Sequence, residues 1–107
     1  MTQVIVTLCT CPDKSTAEAI ARRLVESSLA ACVNILPNLT SIYSWQGQIE
    51  SAEEYLLIIK SSAQNFSAIE HSIRSHHPYE LPEIIAVPVE YGLPEYINWI
   101  HSCHAAN

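Results

Sequence analysis

Hydrophobic and polar positions change their period along this chain, and the changes divide it into elements. Val4, Val6 and Leu8 alternate with Ile5, Thr7 and Cys9. A period of two, rich in β-branched residues, predicts a first strand over residues 3–10 that Pro12 closes. Ala17, Ile20, Ala21, Leu24 and Val25 then share one helical face. Ser15-Thr16-Ala17-Glu18 has the form of a capping box, and Asp13 adds negative charge at the helix start. This first helix is predicted to run to about Ser28. A strand pattern follows over 31–36, breaks at Pro37-Asn38, and resumes over 39–45. Gln46-Gly47 is a turn signal, and 48–60 reads as a third strand. Ser61-Ser62-Ala63-Gln64 repeats the form of a capping box. Phe66, Ile69 and Ile73 mark the buried stripe of a second helix that ends near Ser75 or His76. Residues 83–90 predict a fourth strand, with Pro88 marking an edge or a bulge. Pro94 suits the first position of a helix, and Tyr96, Ile97 and Ile100 define a short third helix.

The order β-α-β-β-α-β, then α, predicts an α+β fold. Two crossovers around a central hairpin give a ferredoxin-like antiparallel sandwich with an extra C-terminal helix. Neither linker nor repeat interrupts the 107 residues, a length that suits a single domain over 1–107. The arms of the central hairpin are long, and their middles carry Ser44, Glu50, Ser51, Glu53 and Glu54. Their tip is predicted to project beyond the chain's own core. Exposed strand edges invite pairing with another chain, so the pattern points to an oligomer.

Composition narrows the classes. Apolar residues at 49% against 15% charged describe a packed protein rather than a disordered one. A net charge of −6 with five Lys and Arg residues argues against a nucleic-acid partner. The longest apolar run, residues 55–59, is far short of a membrane span. The chain opens directly on a strand pattern without a signal-peptide pattern, so a cytoplasmic location is expected, with Cys9, Cys11, Cys32 and Cys103 reduced. Ser-His-Asp patterns, phosphate loops and dinucleotide fingerprints are missing, which argues against an enzyme.

Candidate chemistry concentrates in Ser75-His76-His77-Pro78-Tyr79-Glu80-Leu81-Pro82-Glu83. Pro78 lacks an N–H and biases His77 away from the helical region, so the imidazoles sit on a turn. Two readings of His76 and His77 stand: ligands for a transition metal, or a helix C-cap bonding the terminal carbonyls. Cys9 and Cys11 stand at the end of the first, central strand. They are either small core residues or thiolates that, with imidazole, suit copper or zinc. Trp45, Glu54, Lys60, Tyr79 and Glu83 are candidates for a polar ligand cleft, with a solvated hairpin face as the alternative. His101-Ser102-Cys103-His104 reads as a solvated tail, with a metal clamp of His101 and His104 at i,i+3 as the alternative.

Several segments together resemble the CutA divalent-cation tolerance family. They are Leu8-Cys9-Thr10-Cys11-Pro12, Leu29-Ala30-Ala31-Cys32-Val33-Asn34-Ile35, Ser41-Ile42-Tyr43-Ser44-Trp45-Gln46-Gly47-Gln48-Ile49-Glu50, Glu54 with Lys60, and His77-Pro78-Tyr79-Glu80-Leu81-Pro82-Glu83. The resemblance runs from about Val4 to Ile100. It implies a ferredoxin-like subunit in a PII-like homotrimer, and a part in tolerance of copper and other divalent metal ions such as zinc. It also implies copper ligation by Cys9, His76 and His77. Cys11 stands where many relatives carry a small residue that does not ligate, so it could compete with Cys9 as a ligand. A PII-like module that binds a small ligand or partner protein at subunit clefts is the alternative function.

Overall fold

The first strand of the chain is a central strand of the sheet. The computed structural model describes residues 3–103. In order these form β1 (Val4–Cys11), α1 (Lys14–Glu26), β2 (Cys32–Trp45), β3 (Gln48–Ser62), α2 (Phe66–His76), β4 (Ile85–Pro88) and α3 (Pro94–Ser102). The sheet order is β2-β3-β1-β4. Every pairing is antiparallel: β1 lies against β3 from Val4↔Ser62 to Cys11↔Tyr55, and against β4 from Ile5↔Pro88 to Leu8↔Ile85. This is the ferredoxin-like sandwich expected from the periodicity, with a third helix appended.

Local chemistry explains most boundaries and corrects a few. Asp13, extended at φ −151, caps α1 by accepting from the Thr16 N–H at 2.8 Å. The cap is therefore Asp13 rather than the box at Ser15–Glu18, and α1 stops at Glu26, because Ser28 takes a left-handed φ of 60. Leu29 and Ala30 N–H then close on the Leu24 carbonyl. In the second box segment, Ser61 Oγ donates to the Ser62 carbonyl at 3.1 Å, Ser62 Oγ meets His101 Nδ1 at 2.7 Å, and one turn of 3-10 helix (Ala63–Asn65) leads into α2. β2 is continuous through Pro37-Asn38 because a register shift between Leu36 and Leu39 absorbs the break, with Asn38 at φ 62. Gln46 (φ 51) and Gly47 (φ 79) supply the two left-handed positions of a tight hairpin turn. β4 is shorter than predicted and lies at the sheet edge, where Pro88 does not interrupt a central ladder.

The two sheet faces differ. α1 and α2 cover one, where Cys9, Leu57 and Ile59 pack against Ile20, Leu24, Ile69 and Ile73 with essentially no exposure. Strand alternation puts Leu36, Ile85 and Val87 on the other face, and all three are exposed. There α3 covers one end: Ile100 is buried, and the Lys60 ammonium sits 5.8 Å from the centre of the Tyr96 ring. The far halves of β2 and β3 extend past both helices and carry Ile42 and Ile49, 75% and 78% exposed.

Candidate metal centre

Side chains two apart on a strand point the same way, so Cys9 and Cys11 both enter the helix-covered face at the end of β1. Leu57 lies opposite Cys9 and Tyr55 opposite Cys11, and both thiols are fully buried. The third member arrives from the end of α2. Pro78 forces the residue before it out of the helix. His77 accordingly takes φ −96, ψ 135, and its ring turns down onto the end of β1. The two sulfurs and one ring nitrogen of His77 lie within 4.8 Å of one another.

The tautomer of His77 follows from its neighbours. Nε2 is 2.7 Å from the Thr10 carbonyl, which only accepts, so Nε2 carries the proton. Nδ1 is 3.1 Å from the Tyr79 N–H, which only donates, so Nδ1 presents its lone pair. The ring is neutral and both nitrogens are partnered. The thiols interact mainly with each other. Hydrogen bonding to Cys11 and burial push the Cys9 thiol up, helped by the negative charges of Glu83 and Glu54. The same bond pushes Cys11 down, against burial and the charges of Asp13 and Glu54. Two buried thiols and an imidazole, under the field of two carboxylates, fit a soft or borderline cation and fit calcium or magnesium poorly.

His76 lies one residue before His77 and outside this cluster. It is exposed, the last residue of α2, and its Nδ1 is 2.8 Å from the Ser72 carbonyl one turn back. It thus does what a histidine at a helix C-terminus does locally. The structure therefore joins Cys9 and His77 with Cys11, and leaves His76 on the outer surface. The signals for Cys11 were its two-residue spacing from Cys9 and its place in the family's first-strand segment.

Of the proposed cleft, one chain assembles a single pair. The Tyr79 hydroxyl donates to Glu54 Oε2 at 2.6 Å, and Glu54 is buried. Burial and that bond push the Tyr79 phenol above the ordinary tyrosine range. The Tyr79 ring also lies 4.7 Å from the His77 ring, tying this pair to the thiol cluster. Lys60, six residues along β3, is roughly 20 Å away on strand geometry and faces Tyr96. Trp45 sits at the hairpin turn opposite Gln48, and Glu83 is exposed. A cleft that unites Trp45 with Glu54 and Tyr79 needs a second chain. His101 is held by Ser62, and His104 lies outside the described residues.

Comparison with known proteins gives a consistent answer. The family model of the CutA1 divalent ion tolerance protein matches residues 5–103. Protein CutA of Mus musculus is 50% identical over 92 residues, which cover 86% of this chain and 52% of that protein. The chain thus spans about half the length of that relative. Among solved structures, the divalent cation tolerance protein of Thermus thermophilus superposes with a TM-score of 0.94 at 42% identity, covering 95% of this chain and 99% of that one. A protein from Archaeoglobus fulgidus described as periplasmic gives 0.91 at 39% identity, covering 94% and 97%. A PII-like protein CutA from a Nostoc species gives 0.86 at 39% identity, covering 92% and 95%. This chain belongs to the CutA1 divalent ion tolerance family.

Proposed function

We propose that this chain is a copper-binding protein that takes part in the response to divalent cations, without catalytic activity, as one CutA-like unit over its whole length. The observation that carries the reading is the convergence of Cys9, Cys11 and His77 in a buried corner. Cys9 and His77 are two of the three residues to which the family resemblance gave copper. Bound there, an ion replaces the thiol protons, so binding weakens as pH falls and protons compete for sulfur and nitrogen. Calorimetric titration of the reduced protein with copper, with a chelator control, tests this. One equivalent taken up at the cluster is expected; uptake unchanged in the combined Cys9→Ser, Cys11→Ser and His77→Ala variant would remove the reading.

The same proposal includes a homotrimer in the cytoplasm. Its support is the exposed apolar residues on the hairpin arms and on the sheet face away from α1 and α2. Among the described residues no helix is long and apolar enough to cross a membrane. Sedimentation at micromolar concentration is expected to give three subunits, and fractionation to place the protein with cytoplasmic markers. A PII-like role, in which a small ligand binds between chains, is the second reading. It rests on the buried Glu54–Tyr79 pair and on the likeness to the Nostoc protein. Saturation by a nucleotide or carboxylate metabolite in the absence of metal would favour it.

A further inference from the structure

We propose that the Cys9–Cys11 dithiol, rather than the His76–His77 pair, is the principal ligand of the metal centre, and that Cys11 makes the centre selective for thiophilic ions such as Cu(I). The inference rests on the metal-binding reading above and gives that site its ion class.

Three observations carry it. First, the spacing suits a shared ion. Two sulfurs each about 2.3 Å from one metal are at most about 4.6 Å apart, and the cluster already lies within 4.8 Å. Small rotations of the side chains close it. A disulfide is less well served: residues two apart on a strand have Cα atoms about 6.6 Å apart, at the wide limit for that bond.

Second, the donors differ in what they must give up. His77 offers a nitrogen only by releasing the Tyr79 N–H or the Thr10 carbonyl. Among the described residues the partner of Cys11 is the other thiol, and Cys9 adds a long 3.8 Å contact to the Thr10 carbonyl. An entering ion therefore takes the sulfurs first and the imidazole second. His76 is committed to Ser72 and lies outside the cluster.

Third, the site is shielded from bulk solvent. Both thiols are fully buried and His77 nearly so. Ions that keep their water, such as Mg(II) and Mn(II), are disfavoured. A d10 ion content with two thiolates and one nitrogen is not.

The test uses Cu(I) with a chromophoric Cu(I) chelator as competitor, on reduced full-length protein of checked secondary structure. Cys11→Ser and Cys11→Ala are both made, so that a folding defect in one does not decide the matter. Loss of a direct ligand should weaken binding by at least the roughly 100-fold seen at the upper end for outer-shell partners. His77→Ala should lose less than either thiol variant, and His76→Ala nothing. Co(II) gives an independent readout, since its sulfur charge-transfer band scales with the number of thiolates; Cys11→Ser should leave about half of it. Parent-like Cu(I) affinity and an undiminished cobalt band in both Cys11 variants would overturn the inference and leave a Cys9–His77 copper site standing. Failure of the parent itself to hold Cu(I) would overturn the inference, and failure to hold Cu(II) as well would overturn the copper reading with it.

Discussion

The two ends of the β2–β3 hairpin are paired by the same antiparallel ladder, yet they have opposite characters. At the near end, Leu57 and Ile59 are fully buried between the sheet and two helices, beside the thiols of β1. At the far end, Ile42 and Ile49 stand in the same kind of strand and are more than three-quarters exposed or close to it. At the near end β3 is also paired with β1, from Tyr55 to Ser62, whereas the far end pairs only within the hairpin, beyond the register shift at Leu36/Leu39. The ends differ too in whether a helix supplies the other half of an apolar layer, and a strand face without one is an invitation to another chain. The near end therefore holds the candidate metal cluster. The far end is suited to assembly.

The largest effect is expected from treating the far end as an interface. Ile42→Asp combined with Ile49→Asp should convert the proposed three-subunit particle into single subunits by sedimentation; a variant that still sediments as three would show that the arms do not join the subunits. The near end should respond in free energy instead. Ile59→Ala, opposite Thr7 in the core, should lower unfolding stability by about 2–5 kcal/mol in a urea titration. A loss below the range for surface changes would mean that the two ends do not differ in packing.

Tyr79→Phe sharpens the comparison at the junction between the two ends. It leaves the buried Glu54 carboxylate without its 2.6 Å partner and should cost about 1.5–3 kcal/mol. Because folding raises the Tyr79 pKa, the protonated phenol stabilises the fold. That stabilisation is complete below the unfolded tyrosine pKa near ~10 and is lost as pH rises through the folded value. Phenolate absorbance should show one late step among the five tyrosines, and that step should be absent in the variant.

The smallest effect belongs to a site remote from both ends. Asp13→Ala removes the cap of α1 and should lower the thermal midpoint modestly. The hydrogen bonds from the Thr16 N–H and from Ser15 hold the Asp13 carboxyl below its ordinary range. Its contribution is present above the unfolded aspartate pKa and fades as pH falls through the folded one. A variant whose acid-unfolding midpoint moves as much as that of Tyr79→Phe moves in alkali would contradict this ranking.

Local pattern was sufficient for the elements and their order. Alternation at Val4–Cys9, the 3.6-residue stripe from Ala17 to Leu24, Gln46-Gly47 and Pro94 act within a few residues of themselves, so their consequences are legible without the rest of the molecule. The resemblance to the CutA family was legible for the same reason, in short segments kept in order. The membership of the metal cluster was not. His76 and His77 are adjacent and chemically identical, and Pro78 predicts only that the helix stops near them. Which ring turns inward depends on where α2 lies over β1, and that is set by Ile69 and Ile73 packing against Ile20, Leu24 and Leu57. The same packing leaves His76 bonded to its own helix, and brings His77 against Thr10 at the end of the strand that carries Cys11. Contacts between residues far apart in the chain are decided by the phase of a helix and the register of a strand together, and neither is written in the residues that finally meet.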